Sequence, residues 1–561
     1  MFYRFILTVI SVIWFSTGTA ADNAQVREYI QERVDNMHVR KVFRIQDAII
    51  ASEIVLPALY KKRSYSPVWL NEESITQLLD ILKTLEADGL DPEDYHYHIL
   101  LTLRERLWET GGTDDLLSAE FDILLTDSLV RLGYHLKLGK VDPVVLDSQW
   151  NMDTTIGSLD MILGLASAIE TGDVDSMVER LRPQFYIYAN LKSALARYRK
   201  IADEGGWMPI MEGSTIKPGM SDRRVLEIRR RLQVTEDLSL NEPATIEYDD
   251  ILAEAVKKFQ YRHGLKQDGL AGQETVQTMN IPVQDKISKI KVNLERARWV
   301  LHDLPDEFVL ADIAGFTVNY YRNGQVIWNT RAQVGRPFRK TPLFRSQIRY
   351  LVMNPTWTVP PTILNEDILP KVHQDISYLK RKHLRVLDFN GQAVDETTID
   401  WSLYPAKKFP YMLRQDPGPH GALGRIKFMF PNEHSVYLHD TPYRSLFDNT
   451  ARAFSSGCIR LEKPYELAEL LLKDPVRWNH ARITDTIDSL NTVSVSLPEP
   501  VTVILFYWTA GVDSADNVVF KPDIYDRDKS IEKGLASRFR FRETPILDSV
   551  VGNDAEEYVE Q

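Results

Sequence analysis

A single thiol stands out among the residues able to do chemistry. Cys458 is the one cysteine in 561 residues, which excludes an intrachain disulfide and any metal site built from several thiolates. It lies in the run Ser455-Ser456-Gly457-Cys458-Ile459-Arg460-Leu461. Nineteen positions upstream, His439-Asp440-Thr441 follows the strand-like Ser435-Val436-Tyr437-Leu438. Thiols attack as thiolates, so a reactive cysteine needs a neighbouring base to take its proton or lower its pKa. His439 is the base this spacing offers, and Gly457 allows close backbone approach or positive φ. The competing reading is a small buried hydrophobe, a common fate of free cysteines.

The elements that must hold such a pair belong to a long chain, for which two to four domains are expected. Apolar content of 44% and charged content of 26% are ordinary for a globular protein. A net charge of -12, with no basic low-complexity tract, gives no support to nucleic-acid binding. Residues 1–20 differ: Arg4 precedes an apolar run from Phe5 to Phe15, followed by Ser16-Thr17-Gly18-Thr19-Ala20-Ala21. This reads as a secretory signal peptide, cleaved after Ala20 or Ala21, with an uncleaved anchor as the alternative. The run falls short of the roughly 20 apolar residues that span a bilayer, and no later stretch reaches that length. An exported chain, with no stable membrane span after cleavage, is therefore expected. In an oxidising compartment a lone thiol is harder to dismiss as filler.

Residues 21–205 read as a helical scaffold. Ile75, Leu78, Leu79, Leu82 and Leu85 share one helical face, as do Phe121, Leu124, Leu125, Leu129 and Leu132. Residues 210–282 form a smaller helical module closed by the turn-forming Asp268-Gly269-Leu270-Ala271-Gly272. Its pattern, Pro218-Gly219 through Ala255-Val256, Phe259-Gln260, His263-Gly264-Leu265, Asp268-Gly269, Gly272 and Thr275, resembles the three-helix peptidoglycan-binding module of bacterial wall enzymes. The resemblance implies wall targeting, although such modules also serve as spacers.

From residue 300 to about 510 the pattern turns to short strands, with Asn323-Gly324 a strong hairpin signal, which argues for a sandwich or barrel. The β pattern lapses over residues 357–412, read as a folded capping insertion that could act as a lid. Residues 511–561 are expected to hold a last strand and then, from Asp526, a loose charged tail.

Taken together, His439, a 15-residue loop, and Ser455, Gly457, Cys458 and Arg460 resemble the active site of the YkuD-like L,D-transpeptidases, which cross-link peptidoglycan. One departure is Ser456, which stands where that family usually has a second histidine and so leaves His439 as the only motif imidazole. The large branch of the family is also similar in residues 350–361 and 417–425. The resemblance implies a multidomain α+β chain: helical scaffold, peptidoglycan-binding-like module, and β-rich catalytic sandwich with a capping insertion. It further implies a periplasmic, wall-associated enzyme. Cys458 would attack the stem tetrapeptide and release D-alanine, and the diaminopimelate amine of a second stem would resolve the thioester. His439 would serve as general acid and base, with Ser455 or Ser456 orienting it, and the backbone N–H groups of Ser456, Gly457 and Cys458 would face the oxyanion. Arg460, Arg425, Tyr437 and Trp357 are the candidate substrate-binding residues, the arginines for carboxylates. Carbapenems would form an adduct at Cys458, and other wall-synthesis proteins are possible partners. Hydrolysis through the same thioester, as in an L,D-carboxypeptidase or endopeptidase, remains open, as does a non-catalytic wall-binding protein. His434 and His439 fall on opposite faces at a period of two, and His373, His383 and His420 lack ligand spacing. No Walker loop, dinucleotide fingerprint or zinc helix occurs, so no cofactor and no metal are expected.

Overall fold

The computed structural model describes residues 22–39, 43–53, 55–147, 150–152, 158–403 and 409–537. The expected signal peptide lies outside them, and no helix among the described residues is long and apolar enough to cross a membrane. In the scaffold, α1 (Asp22–Asp35) and α2 (Glu72–Thr84) pack around the long α3 (Asp115–Leu138), which is buried on nearly every side. Asn71 and Asp114 cap α2 and α3 by accepting N–H bonds from Glu73 and Leu117, satisfying donors that a helix start leaves free. Helix α4 (Tyr186–Asp203), counted with the scaffold by sequence, turns Tyr188, Leu191, Leu195 and Tyr198 toward the β domain instead. A stripe that apolar packs wherever a matching surface lies, and here that surface is the outer face of a strand.

Helices α5 (Arg224–Val234), α6 (Asp250–Arg262) and α7 (Gln273–Met279) build the small module around Val225, Ile228, Leu232, Val256, Phe259 and Val276. Gln260 explains its Phe-Gln pattern. The side-chain amide donates to Asp268 (3.0 Å) and to the Leu270 carbonyl (3.1 Å), while its oxygen accepts from Gly269 N–H (2.9 Å), tying the turn to α6.

The β domain begins after α8 (Val283–Val300) with β1 (Glu307–Asp312), β2 (Thr317–Arg322), β3 (Gln325–Gly335) and β4 (Phe344–Met353). The insertion contributes β5 (Trp357–Thr358), β6 (Leu384–Leu387), β7 (Ala393–Val394) and β8 (Met412–Gln415). Then follow β9 (Ile426–Met429), β10 (Leu438–His439), β11 (Ala453–Ser455), β12 (Ile459–Leu461) and β13 (Val493–Phe506). A separate pair, β14 (Ala510–Val512) and β15 (Val518–Phe520), ends the strands.

The main sheet is mixed. Its order is β11-β3-β12-β10-β9-β4-β13-β1-β2, and β2 pairs back onto β3, so the sheet closes on itself. Closure leaves β11 as an edge strand beside the ring and encloses a core of Val309, Val318, Ile348, Leu351, Phe428, Leu438, Ile459 and Leu505. Along β13 and the residues after it, Val503, Leu505 and Tyr507 point into that core, whereas Ile504, Phe506 and Trp508 meet α4 and α8. Burial on both faces accounts for the near-continuous apolar run there.

The insertion has its own core, including Val359, Leu369, Leu379, Val386 and Leu413. It runs to Gln415 rather than 412, because the returning β8 pairs with the outgoing β5 (Gln415 opposite Trp357). Helices α9 (Pro464–Leu472) and α10 (His480–Asp488) add Leu467, Leu471 and Ile483 to the barrel core. The tail expected from Asp526 is also corrected. Helix α11 (Asp528–Ala536) docks on α8, burying Ile531 and placing Asp528 against Arg296 at 2.7 Å. A buried guanidinium needs that carboxylate, which a count of surface charges does not reveal. Residues 538–561 lie outside the described set.

Candidate active site

Three neighbouring strands assemble the site. Register places Lys427 of β9 opposite His439 of β10, and His439 beside Arg460 of β12 in a parallel pairing. Ile426, Phe428, Leu438, Ile459 and Leu461 point into the barrel core. Alternation therefore sends Lys427, Tyr437, His439, Cys458 and Arg460 to the shared outer face. Cys458 sits beside Tyr437, one alternate position before the His439–Arg460 step. Two residues along a strand and one across a pairing separate the Cα atoms of Cys458 and His439 by roughly 8 Å, within reach for side chains on one face.

His439 is only 3% exposed. Its Nδ1 lies 2.5 Å from the Asp440 carbonyl, which can only accept, a contact that favours the tautomer with the proton on Nδ1. Burial lowers its pKa to about 3, with the Arg460 charge adding to the effect against the Asp440 and Leu423 carbonyls. The imidazole is thus neutral at pH 7. Cys458 keeps some exposed surface, yet protein packed around the sulfur pushes the thiol pKa up. The Tyr437 N–H and hydroxyl, Lys427 and Arg460 oppose that rise. A neutral thiol and a neutral imidazole therefore stand on the same face.

The cysteine loop is bolted in place. Ser455 Oγ donates to the Cys458 carbonyl (2.5 Å) and accepts from Gly457 N–H (3.1 Å). Thr341 Oγ1 donates to the Gly457 carbonyl (2.8 Å), and Tyr525 O–H donates to the Gly335 carbonyl (2.6 Å) while accepting from Thr341 N–H (3.1 Å). Gly457 has φ +118°, a conformation that favours glycine. Ser435, at φ +54°, sets its carbonyl 3.8 Å from Sγ.

These bonds change several expectations. Neither serine orients the imidazole: Ser455 is spent on the loop, and Ser456 Oγ accepts from Arg339 Nη1 at 2.9 Å. The Gly457 N–H is likewise committed to Ser455, which removes it from the expected oxyanion donors. Arg425 reaches away, donating to the Ile487 carbonyl (3.3 Å) at the end of α10 (His480–Asp488) with Asp488 at 3.9 Å. Trp357 packs into the insertion core. Arg460 stays on the site face, where Nη1 donates to Gln333 (3.2 Å) and no described carboxylate pairs with it. His434 meets Phe344 at a 40° tilt, and His420 stacks on His383 at 4.8 Å. No cluster of His, Cys, Asp or Glu suited to a metal occurs among the described residues.

Sequence reasoning missed Lys427, Arg339 and Thr341. The first was detectable, since a lysine between core-facing Ile426 and Phe428 must stand on the opposite face. Arg339 bonds Ser456 and also pairs with Asp367 and Glu366 of the insertion, so it latches the cap to the cysteine loop.

Residues 306–477 match the family model for the L,D-transpeptidase catalytic domain, YkuD. Residues 221–279 match the "Putative peptidoglycan binding domain", and residues 55–195 match the scaffold domain. A Haemophilus influenzae protein described as "Putative L,D-transpeptidase" is 39% identical over 243 residues, covering 43% of this chain and 48% of its own. The chain thus spans about half the length of that relative. Among solved structures, an L,D-transpeptidase from Mycobacterium smegmatis aligns at TM-score 0.18 and 15% identity, over 36% of this chain and 58% of its own. One from Stackebrandtia nassauensis aligns at TM-score 0.19 and 14% identity, over 53% and 97%.

Proposed function

We propose, from the premise that this chain carries an L,D-transpeptidase catalytic domain beside a peptidoglycan-binding and a scaffold domain, that it forms 3-3 peptidoglycan cross-links through a thioester on Cys458. One observation carries the reading: Cys458 and His439 share one outward face of adjacent strands, and the imidazole is neutral and so able to accept a proton. Sγ attacks the carbonyl joining the third and fourth residues of a donor tetrapeptide as its proton passes to Nε2. The C–N bond then breaks, the same proton goes to the departing D-alanine amine, and the acyl group stays on sulfur. The side-chain amine of an acceptor diaminopimelate attacks next, giving its proton to His439, which passes it to sulfur as the C–S bond breaks, restoring the thiol and the neutral imidazole. The thioester conserves the energy of the original amide, so no nucleotide is needed. Positioned acid–base help of this kind is worth about 10² to 10⁴ in rate. Tyr437 O–H, beside the sulfur, is the side-chain donor suited to the oxyanion, and Arg460 is the cation suited to a stem carboxylate. The peptidoglycan-binding domain supports association with the wall, and export fits the leader-like residues 1–20.

Purified protein incubated with tetrapeptide muropeptides is expected to yield cross-linked dimers by mass spectrometry. Tripeptides alone would mean water resolves the thioester, and unreacted substrate with no adduct on Cys458 would leave only wall binding.

A further inference from the structure

The ammonium of Lys427 is the charge on this face that the reaction above does not use. Its place follows from register: Ile426 and Phe428 enter the core, Lys427 stands opposite His439, and its Nζ lies 3.8 Å from the centre of the Tyr437 ring. Half-buried ammonium groups are ordinarily paired, because leaving water is costly for a charge. Yet among the described residues no carboxylate pairs with Lys427. The groups acting on the Cys458 sulfur are Lys427 of β9, Tyr437 just before β10 and Arg460 of β12, with His439 on the same face, Arg336 near Arg460 and Arg339 on the adjoining Ser456. The carboxylates of Asp367 and Glu366 are taken up by Arg339, and among the described residues the charge of Lys427 itself faces only the cysteine. The negative charge that Lys427 is placed to meet is therefore one that arises on sulfur during attack.

We propose that Lys427 is a positioning residue for acyl transfer: stacked on Tyr437, it holds that hydroxyl against the Cys458 sulfur and favours the thiolate over the thiol. Burial lowers the Lys427 pKa and the cysteine raises it, the direction expected of a cation facing a nascent anion. The proposal rests on the cysteine being the nucleophile, and it is tested without a stem peptide so that the two can fail separately.

The test is the pH dependence of Cys458 alkylation by iodoacetamide in the full chain, which has one thiol to read. Lys427→Met is expected to move the inflection upward by about one unit and to slow alkylation about tenfold at pH 7. Lys427→Arg, which keeps the charge, is expected to stay within about threefold of the parent. In a Tyr437→Phe background the Lys427→Met effect is expected to shrink, since part of it passes through the ring. A Lys427→Met profile superimposed on the parent would overturn the proposal, and so would an arginine variant as impaired as the methionine one. Failure of both Lys427→Met and Lys427→Gln to fold, judged by circular dichroism, would assign the lysine to packing and overturn it too. Normal alkylation shifts with no dimer formation from muropeptides would instead strike the cross-linking reading and leave this one standing.

Discussion

Two regions of the molecule each hold a buried, neutral imidazole among cations, and only one of the two shares a face with the thiol. His263 ends α6 at the junction of the small module with β15. Its Nδ1 lies 2.8 Å from the Phe259 carbonyl, and burial with Lys286 and Arg262 nearby drives its pKa well below the ordinary value. His439 has the same signature, a carbonyl on Nδ1 and an arginine alongside. The difference is what covers the rings. His263 is stacked between Phe259 (3.9 Å) and Phe520 (5.6 Å), and its Nε2 is buried with no partner among the described residues. His439 meets Tyr437 edge-on at 5.6 Å and shares its face with Cys458. A perturbed pKa therefore marks desolvation among like charges, and only adjacency to a nucleophile turns that into catalysis. The same junction shows that the module is fixed to the β domain: Arg262 pairs with Asp237 and donates to the Val518 carbonyl (2.8 Å), while Arg231 lies 3.6 Å from the Trp207 ring.

The sharpest way to break this comparison is to neutralise each imidazole in turn. His439→Gln is expected to slow formation of the acyl-enzyme by about 10² to 10⁴ with the fold retained. His263→Gln is expected to leave acylation per folded molecule unchanged while lowering stability by about 1–3 kcal/mol. Stopped-flow acylation by a carbapenem, paired with urea unfolding, reads both, and equal losses of acylation in the two variants would erase the distinction.

Next in size is Tyr437→Phe, which removes the hydroxyl facing the sulfur. Acylation is expected to fall by about 10², as for loss of one oxyanion donor. An unchanged rate would return Tyr437 to a packing role.

The pH dependence of stability sharpens what the two regions share. Each histidine has a folded pKa below its unfolded value, so the unfolded chain binds more protons at mildly acidic pH. The stability this contributes is present in full above about pH 6.5 and is lost as pH falls, for His439 toward its folded pKa of about 3. Each group is expected to add up to about 1.4 kcal/mol per pH unit to the slope within that window. Urea midpoints between pH 7 and pH 4.5 should flatten in His439→Gln and in His263→Gln alike. A slope unchanged in both would mean the imidazoles are already charged in the folded protein.

The smallest effect concerns the cap. Arg339→Ala removes the contacts to Asp367, Glu366 and Ser456. Pairs with solvent access contribute little, so a stability change of under about 1 kcal/mol is expected. Amide exchange should nonetheless quicken in residues 361–381, and unchanged exchange would show that the insertion core alone holds the cap.

Much of this architecture was legible because local patterns carry it. The period of the scaffold helices, the Phe-Gln and Asp-Gly signals of the module, and Asn323-Gly324 between β2 and β3 all act over a few residues. The candidate pair of Cys458 and His439 was legible mainly through the resemblance of its motif, since a lone thiol and an upstream imidazole fit a buried core residue equally well. Less legible was α11, whose charged sequence conceals a carboxylate, Asp528, that answers the buried Arg296.

By itself, then, the sequence determined the elements, the candidate nucleophile and base, and the absence of any disulfide framework. Only the tertiary structure decided the partners. It committed Ser455 and Gly457 to each other, turned Arg425 to the end of α10, bound Ser456 to Arg339, and brought Lys427 over Tyr437. The reason is physical. A hydrogen-bond donor or a charge takes whichever acceptor the packed strands bring within about 3 Å. For residues tens or hundreds of positions apart, that choice is made by register between strands and by docking between layers, which no window along the chain contains.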